Sequence, residues 1–196
     1  DPQADVDALL ARAATQLRDR GELPLPPFDT HWTARIADEL APALSDYAAQ
    51  LADNPEALRI RDVRREHDGV RLLDHLENLR RAPAGEELLI LRLSASEVVK
   101  AKKKQQETQW HNLVRHWPTH LAAQLEGRTR TRLIGPSGII TLEPLEAETA
   151  AATLDALLTA YRTGLSQMPA LACKTAFAWL KEDKKTQETY EGGYNH

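Results

Sequence analysis

Leu73-Asp74-His75-Leu76-Glu77, followed after a connector by Leu88-Leu89-Ile90-Leu91-Arg92-Leu93, is the stretch on which the fold turns. The first piece alternates like the returning arm of a hairpin closed at His67-Asp68-Gly69, within a strand read from Val70 to Arg80. The second is apolar on both faces, as a central strand must be. A Mg²⁺ ion held between two neighbouring strands needs carboxylates that the strands turn to one face. Acids are present on the first strand, but the next offers Leu91-Arg92-Leu93 and no carboxylate. Asp74 and Glu77 are three apart, so alternation sends them to opposite faces and they cannot share one ion. They read as a vestigial acidic site, and no catalytic residue or metal site is assigned.

Upstream, Val6, Leu9, Leu10, Ala13 and Leu17 recur at helical spacing over residues 5–20. A Pro-rich connector, Leu23 to Pro27, precedes a second helix capped by Asp29 or Thr30 and running to about Asp53, interrupted at Pro42. Leu58-Arg59-Ile60-Arg61 begins an edge strand whose period slips at Asp62-Val63. Downstream of Leu93, a Ser94 or Ser96 cap predicts one long helix carrying Val98, Val99, Trp110, Leu113, Val114, Trp117 and Leu121, kinked at Pro118. Strands at Arg128–Ile134 and Ile139–Leu142 flank the turn Gly135-Pro136-Ser137-Gly138. Helices follow at Leu145–Leu165 and Thr175–Asp183, and the last dozen residues read as disordered. The reading divides the chain into a helical lead-in (1–56), an α/β core (57–185) and a tail (186–196), together one structural domain of a longer protein.

The chain has 196 residues, 42% hydrophobic and 28% charged, which is ordinary for a globular domain. No apolar run reaches the ~18 residues a membrane span requires. Cys173 is alone, so no internal disulfide forms, and a reducing cytoplasmic setting fits. There is no phosphate-binding glycine loop, and neither a cofactor nor a small-molecule substrate is expected. Net charge is −4, unevenly spread: residues 1–56 hold 11 acids against 4 Arg, and residues 98–132 hold 4 Lys and 4 Arg against 2 Glu.

That basic middle offers Lys100, Lys102, Lys103 and Lys104 within a helical turn, and Arg128, Arg130 and Arg132 on one face of a strand. These are the candidate nucleic-acid contacts; the competing reading is a solvated charged helix and an ordinary surface strand. Trp110 and Trp117, two helical turns apart, fit core packing better than base stacking. His116 and His120 have a spacing that can bind zinc, but Pro118 intervenes and no third ligand is evident, which favours a packing or helix-end role. Cys173, in an Ala-Leu-Ala-Cys run, reads as a buried small hydrophobe.

Helix, three meandering strands, long helix, strand, helix is an α+β order that resembles the core of the PD-(D/E)XK nuclease superfamily, whose second acid and lysine, spaced E-x-K, would fall here on Leu91-Arg92-Leu93. More specific strings follow. Trp117-Pro118-Thr119-His120-Leu121, Tyr161-Arg162-Thr163-Gly164-Leu165, Met168-Pro169-Ala170-Leu171, Lys174-Thr175-Ala176-Phe177-Ala178-Trp179-Leu180 and Tyr190-Glu191-Gly192 resemble, in order, segments of the RecC family, the gamma subunit of bacterial exodeoxyribonuclease V. Leu73–Leu79 lies where that family often has Leu-x-Gly-x-Leu-x-x-Leu, with Asp74 in place of Gly, and Gly21-Glu22-Leu23-Pro24 is similar to its Gly-x-Leu-Pro connector. The resemblance implies a nuclease-like domain that has lost its catalytic centre, partners RecB and RecD, contact with double-stranded or forked DNA, and a place in double-strand-break repair and homologous recombination. The alternatives are an active Mg²⁺-dependent nuclease with a migrated lysine, and a purely protein-binding module.

Overall fold

The computed structural model describes residues 2–82, 85, 87–102, 105–167, 173–181 and 186–191. Two helices come first, α1 (Pro2–Asp19) and α2 (Phe28–Asp53), the latter continuing through Pro42. The expected cap is displaced: α2 starts before Asp29, whose buried carboxylate instead accepts from Arg18 Nε at 2.8 Å and ties the two helices together.

The strand read from Leu58 begins three residues later, as β1 (Arg61–His67), and pairs without a slip with β2 (Val70–Leu76). Asp68 (φ 50°) and Gly69 (φ 75°) close this hairpin, the two positive φ values that a two-residue type I′ turn requires. The returning strand is not continuous. It breaks at Glu77-Asn78, where Asn78 takes φ 55°, and resumes as β3 (Leu79–Arg81) in a different sheet. Leu76 and Leu79 are both fully buried, and the left-handed residue between them lets both side chains reach the core.

β4 (Leu88–Leu93) has the central position expected of it. Beyond it the long helix is absent over its first part. Two short strands, β5 (Val99–Lys102) and β6 (Gln105–Thr108), pair antiparallel, then come a short α3 (Trp110–Leu113), one 3₁₀ turn (Val114–His116), and α4 (Trp117–Gln124). Lys, Gln and Glu favour a helix here, but the adjacent Val98 and Val99 are both buried against Leu113 and Leu133, and packing overrides propensity. Pro118 does not kink a helix; it sits in the first turn of α4, where its missing N–H costs nothing.

β7 (Thr129–Gly135) lies parallel to β4, and β8 (Gly138–Leu142) completes a sheet of order β3-β4-β7-β8. α5 (Ala147–Ser166) follows, then α6 (Cys173–Leu180) and α7 (Thr186–Glu191). α7 falls in the segment read as disordered, and residues 192–196 lie outside those described. One face of β4 puts Leu88 and Ile90 against Leu121 and Ala122 of α4 and Leu154 of α5, joined by Val63, Leu76 and Leu79. The opposite face is covered by α2.

At the β7–β8 turn, Gly135 is required by space rather than by conformation. A Cβ there would lie 3.0 Å from Val98 Cγ2 and 3.2 Å from the Ser96 carbonyl oxygen. Gly135→Ala is expected to lower stability by about 1–3 kcal/mol, read from urea denaturation; an unchanged midpoint would show that the Ser96–Val98 segment yields.

Candidate nucleic-acid interface

The two acids of the opening stretch are not brought to β4. Asp74 lies on β2 opposite Val63, half-buried, and its Oδ1 accepts the backbone N–H of His75 at 2.8 Å. Glu77 is exposed in the link between the two sheets. Across from Leu91 stands Asn78, whose carbonyl accepts the Leu91 N–H at 3.4 Å. Leu91 itself is 0% exposed under α2 and Leu93, at the strand end, 43%. Among the described residues no cluster of three or more His, Cys, Asp or Glu could hold a metal ion.

The arginine row sits on and beside β7 as alternation requires, but its charge is already engaged. Arg128 is exposed and lies 2.9 Å from Glu87 and 3.7 Å from Glu146. Arg130, half-buried, bridges Glu143 at 3.0 Å and Glu87 at 3.5 Å. Arg132, on the face covered by α2, donates to Gln50 Oε1. A phosphate approaching Arg128 or Arg130 must compete with carboxylates in contact. Exposed pairs such as these contribute little to stability, on the order of 0–1 kcal/mol, but they cancel much of the field that would attract a polyanion.

Lys100 and Lys102 stand on a strand, not on the helical turn expected. Lys100 and Lys102 belong to β5, Lys100 is exposed, and Lys103 and Lys104 lie outside the described residues. Lys181 Nζ, at the end of α6, is 3.9 Å from Glu107 of β6. His111 has its pKa lowered by burial and then by Lys174 and Lys181, so these cations share one end of the molecule. Trp110 is 46% exposed there, Trp117 packs against the core with its ring 5.4 Å from His120, and the two line one apolar pocket with Leu113, Val114, Leu142 and Phe177. Cys173 is exposed, contrary to the burial expected of it, at the first position of α6.

His116 and His120 do not make a zinc pair. His120 Nε2 lies 3.1 Å from the Glu143 carbonyl oxygen and must carry the hydrogen, leaving Nδ1 to accept from the Thr131 hydroxyl at 2.9 Å. His116 Nε2 accepts from Arg115 Nε at 3.1 Å. Burial lowers the His120 pKa from its ordinary 6.5, the Glu143 hydrogen bond opposing it, and burial with Arg115 and Arg92 lowers that of His116. Each ring therefore binds a proton more readily in the unfolded chain. Their contribution is fully present above about pH 6.5 and is lost as pH falls through the lowered folded values. Urea midpoints are expected to drop between about pH 8 and 5, and to drop less in His120→Gln; equal pH dependence in the two proteins would remove His120 from this account.

Sequence reading missed Gln124. It is buried in the last turn of α4, donates Nε2–H to the carbonyls of His120 (3.2 Å) and Thr129 (2.6 Å), and accepts at Oε1 from the N–H groups of Thr129 (3.1 Å) and Leu145 (3.3 Å). A glutamine at a helix end carries no local signal for this; its partners come from three separate segments.

A family model described as the RecC C-terminal domain matches residues 3–184. The chain belongs to the RecC C-terminal domain family. RecC is a subunit of the RecBCD exodeoxyribonuclease–helicase, so this is a domain of that type of DNA-repair subunit. Comparison with curated proteins gave no match. The RecC-like strings divide by burial. In Trp117–Leu121, His120 and Leu121 are buried, so this string serves packing. Tyr161–Leu165 lies on the exposed end of α5, Met168–Leu171 lies outside the described residues, and Trp179 and Leu180 are exposed on α6.

Proposed function

We propose that this domain is a non-catalytic structural and DNA-guiding part of a RecBCD-type helicase–nuclease, acting in bacterial double-strand-break repair and homologous recombination in the cytoplasm, with RecB and RecD as protein partners and duplex or forked DNA as ligand. The observation that carries the reading is the β3–β4 pair. A buried leucine and an asparagine carbonyl stand where a metal cage of the PD-(D/E)XK type would need two carboxylates. The succession of helix, antiparallel strands, crossover and a strand parallel to β4 supports a nuclease-like ancestry for the fold.

The purified chain is expected to leave linear duplex intact in Mg²⁺ or Mn²⁺ and to associate stably with RecB or RecD. Robust Mg²⁺-dependent degradation that disappears in Glu77→Ala would overturn the reading and favour an active nuclease. A purely protein-binding module is the second reading. It draws on the internally paired Arg128 and Arg130 and on the exposed Leu157, Tyr161 and Leu165 along α5. Salt-dependent fluorescence anisotropy with a forked duplex separates the two. Charge reversal at Lys102, Lys103 and Lys104 flattens the salt slope only if phosphates are contacted.

A further inference from the structure

Most arginines of the domain face a carboxylate: Arg18, Arg20, Arg35, Arg61, Arg64, Arg65, Arg71, Arg81, Arg128, Arg130 and Arg162 all lie within 4.0 Å of one. Two that do not are gathered in one place. Arg92 is the next-to-last residue of β4, half-buried, and its guanidinium has no hydrogen bond or ion pair among the described residues. Arg115, in the 3₁₀ turn, is oriented by neutral partners alone. Its Nε–H donates to His116 Nε2 at 3.1 Å, and Nη2 donates to the hydroxyls of Ser94 at 3.0 Å and Ser96 at 3.3 Å.

We propose that Arg92, Arg115 and Ser96, assembled around buried Ser94 and His116 at the C-terminal end of β4, bind one phosphodiester group of a nucleic-acid strand; this rests on the DNA-guiding reading above.

The donor count favours an anion. Of the five N–H groups of Arg115, three are used by His116, Ser94 and Ser96, and both on Nη1 have no protein partner among the described residues. All five of Arg92 are in the same state. Ser94 is a positioning residue: its hydroxyl donates to the Ser96 carbonyl at 3.1 Å and accepts from the Ser96 N–H at 3.3 Å, which holds the loop beneath Arg115. His116 Nε2 accepts from Arg115 Nε, so that nitrogen carries no hydrogen, and burial with both arginines lowers the ring's pKa in the same direction. The carboxylate of Glu97, next to Ser96, accepts from Ser137 Oγ at 3.4 Å and makes no ion pair with Arg92 or Arg115 among the described residues. The location agrees with a general preference: in sheets with a parallel crossover, ligands bind beyond the carboxyl ends of the strands, and β4 and β7 are the parallel pair here. Both arginines act on the ring of His116, and guanidiniums with planar, bidentate donors suit a phosphate oxygen pair better than lysines would.

The test is fluorescence anisotropy of a fluorescein-labelled forked duplex against the full chain over a range of salt concentrations. Arg92→Gln/Arg115→Gln is expected to weaken binding about tenfold or more at low salt and to flatten the log–log salt slope by about one unit, the value for one phosphate contact. Arg92→Lys/Arg115→Lys keeps the charge and is expected to keep the slope while losing part of the affinity, because the bidentate geometry is gone. Should the Gln double variant unfold, the Lys double variant carries the test, and unchanged affinity in it overturns the site. If the Gln double variant binds DNA as the parent does while Lys102/Lys103/Lys104 charge reversal weakens it, this site falls and the DNA-guiding reading stands. If the Gln double variant instead loses only RecB or RecD association, the pocket serves an acidic protein surface and the phosphodiester assignment is overturned. If the parent chain shows no salt-dependent binding, both readings fall.

Discussion

Replacing Gln124 by Ala is expected to lower the free energy of unfolding by about 2–4 kcal/mol, a large share of a domain's usual margin. The carboxamide joins the last turn of α4 to the start of β7 and to Leu145 just before α5, through four hydrogen bonds in a buried setting. Its loss leaves Thr129 with neither its N–H nor its C=O satisfied on that side, and each orphaned buried group costs roughly 1–3 kcal/mol. Gln124→Leu keeps the volume and is expected to recover little, since the deficit is polar. Gln124→Glu keeps the acceptors, loses the donors and buries a charge, so it should also destabilise. Urea denaturation of the three variants decides the matter. A loss below about 0.5 kcal/mol for Gln124→Ala would mean that water enters and replaces the side chain.

Leu91→Glu carries the other large effect. Placing the first acid of an E-x-K pattern there puts a carboxylate where the side chain is 0% exposed, with no cation among its immediate strand partners except Arg132, already engaged by Gln50. Destabilisation of about 3–5 kcal/mol is expected at neutral pH. Burial raises the pKa of such an acid, so the penalty is relieved as pH falls through the raised folded value and the acid becomes neutral. Leu91→Glu/Leu93→Lys is expected to remain without Mg²⁺-dependent cleavage, because Asp74 sits in the other sheet and supplies no second ligand. Denaturation at about pH 5 and pH 8, with a linear-duplex degradation assay, tests both halves. Cleavage by the double variant would mean that a metal cage survives beside Asn78, and the non-catalytic reading would fail.

Much of the fold was legible along the chain because periodicity and punctuation are local. The α1 and α2 stripes, the Asp68-Gly69 turn, the doubly apolar β4 and the Pro136-Ser137 turn are all set by residues within a few positions of one another. Reading failed where long-range packing competes with local preference. The segment 98–109 has the composition of a helix, yet Val98 and Val99 are both drawn into a core shared with Leu113 and Leu133. Val70 to Arg80 looked like one strand because nothing local announces that Asn78 takes a left-handed conformation and hands the chain to a second sheet.

The site divides the same way. Sequence by itself determined that the strand following the hairpin has no carboxylate to offer a metal, and its ordered strings marked the RecC family, because both depend only on which residues occur and in what order. Only the tertiary structure decided which cations are available. Arg128 and Arg130 are held by Glu87, 41 and 43 positions away, and by Glu146 and Glu143. Arg92 and Arg115, 23 apart in the chain, both bear on His116 and neither has a carboxylate within ion-pair distance among the described residues. Charge along a sequence is a sum, whereas attraction for a phosphate is set by distances of a few ångströms between residues the chain keeps far apart.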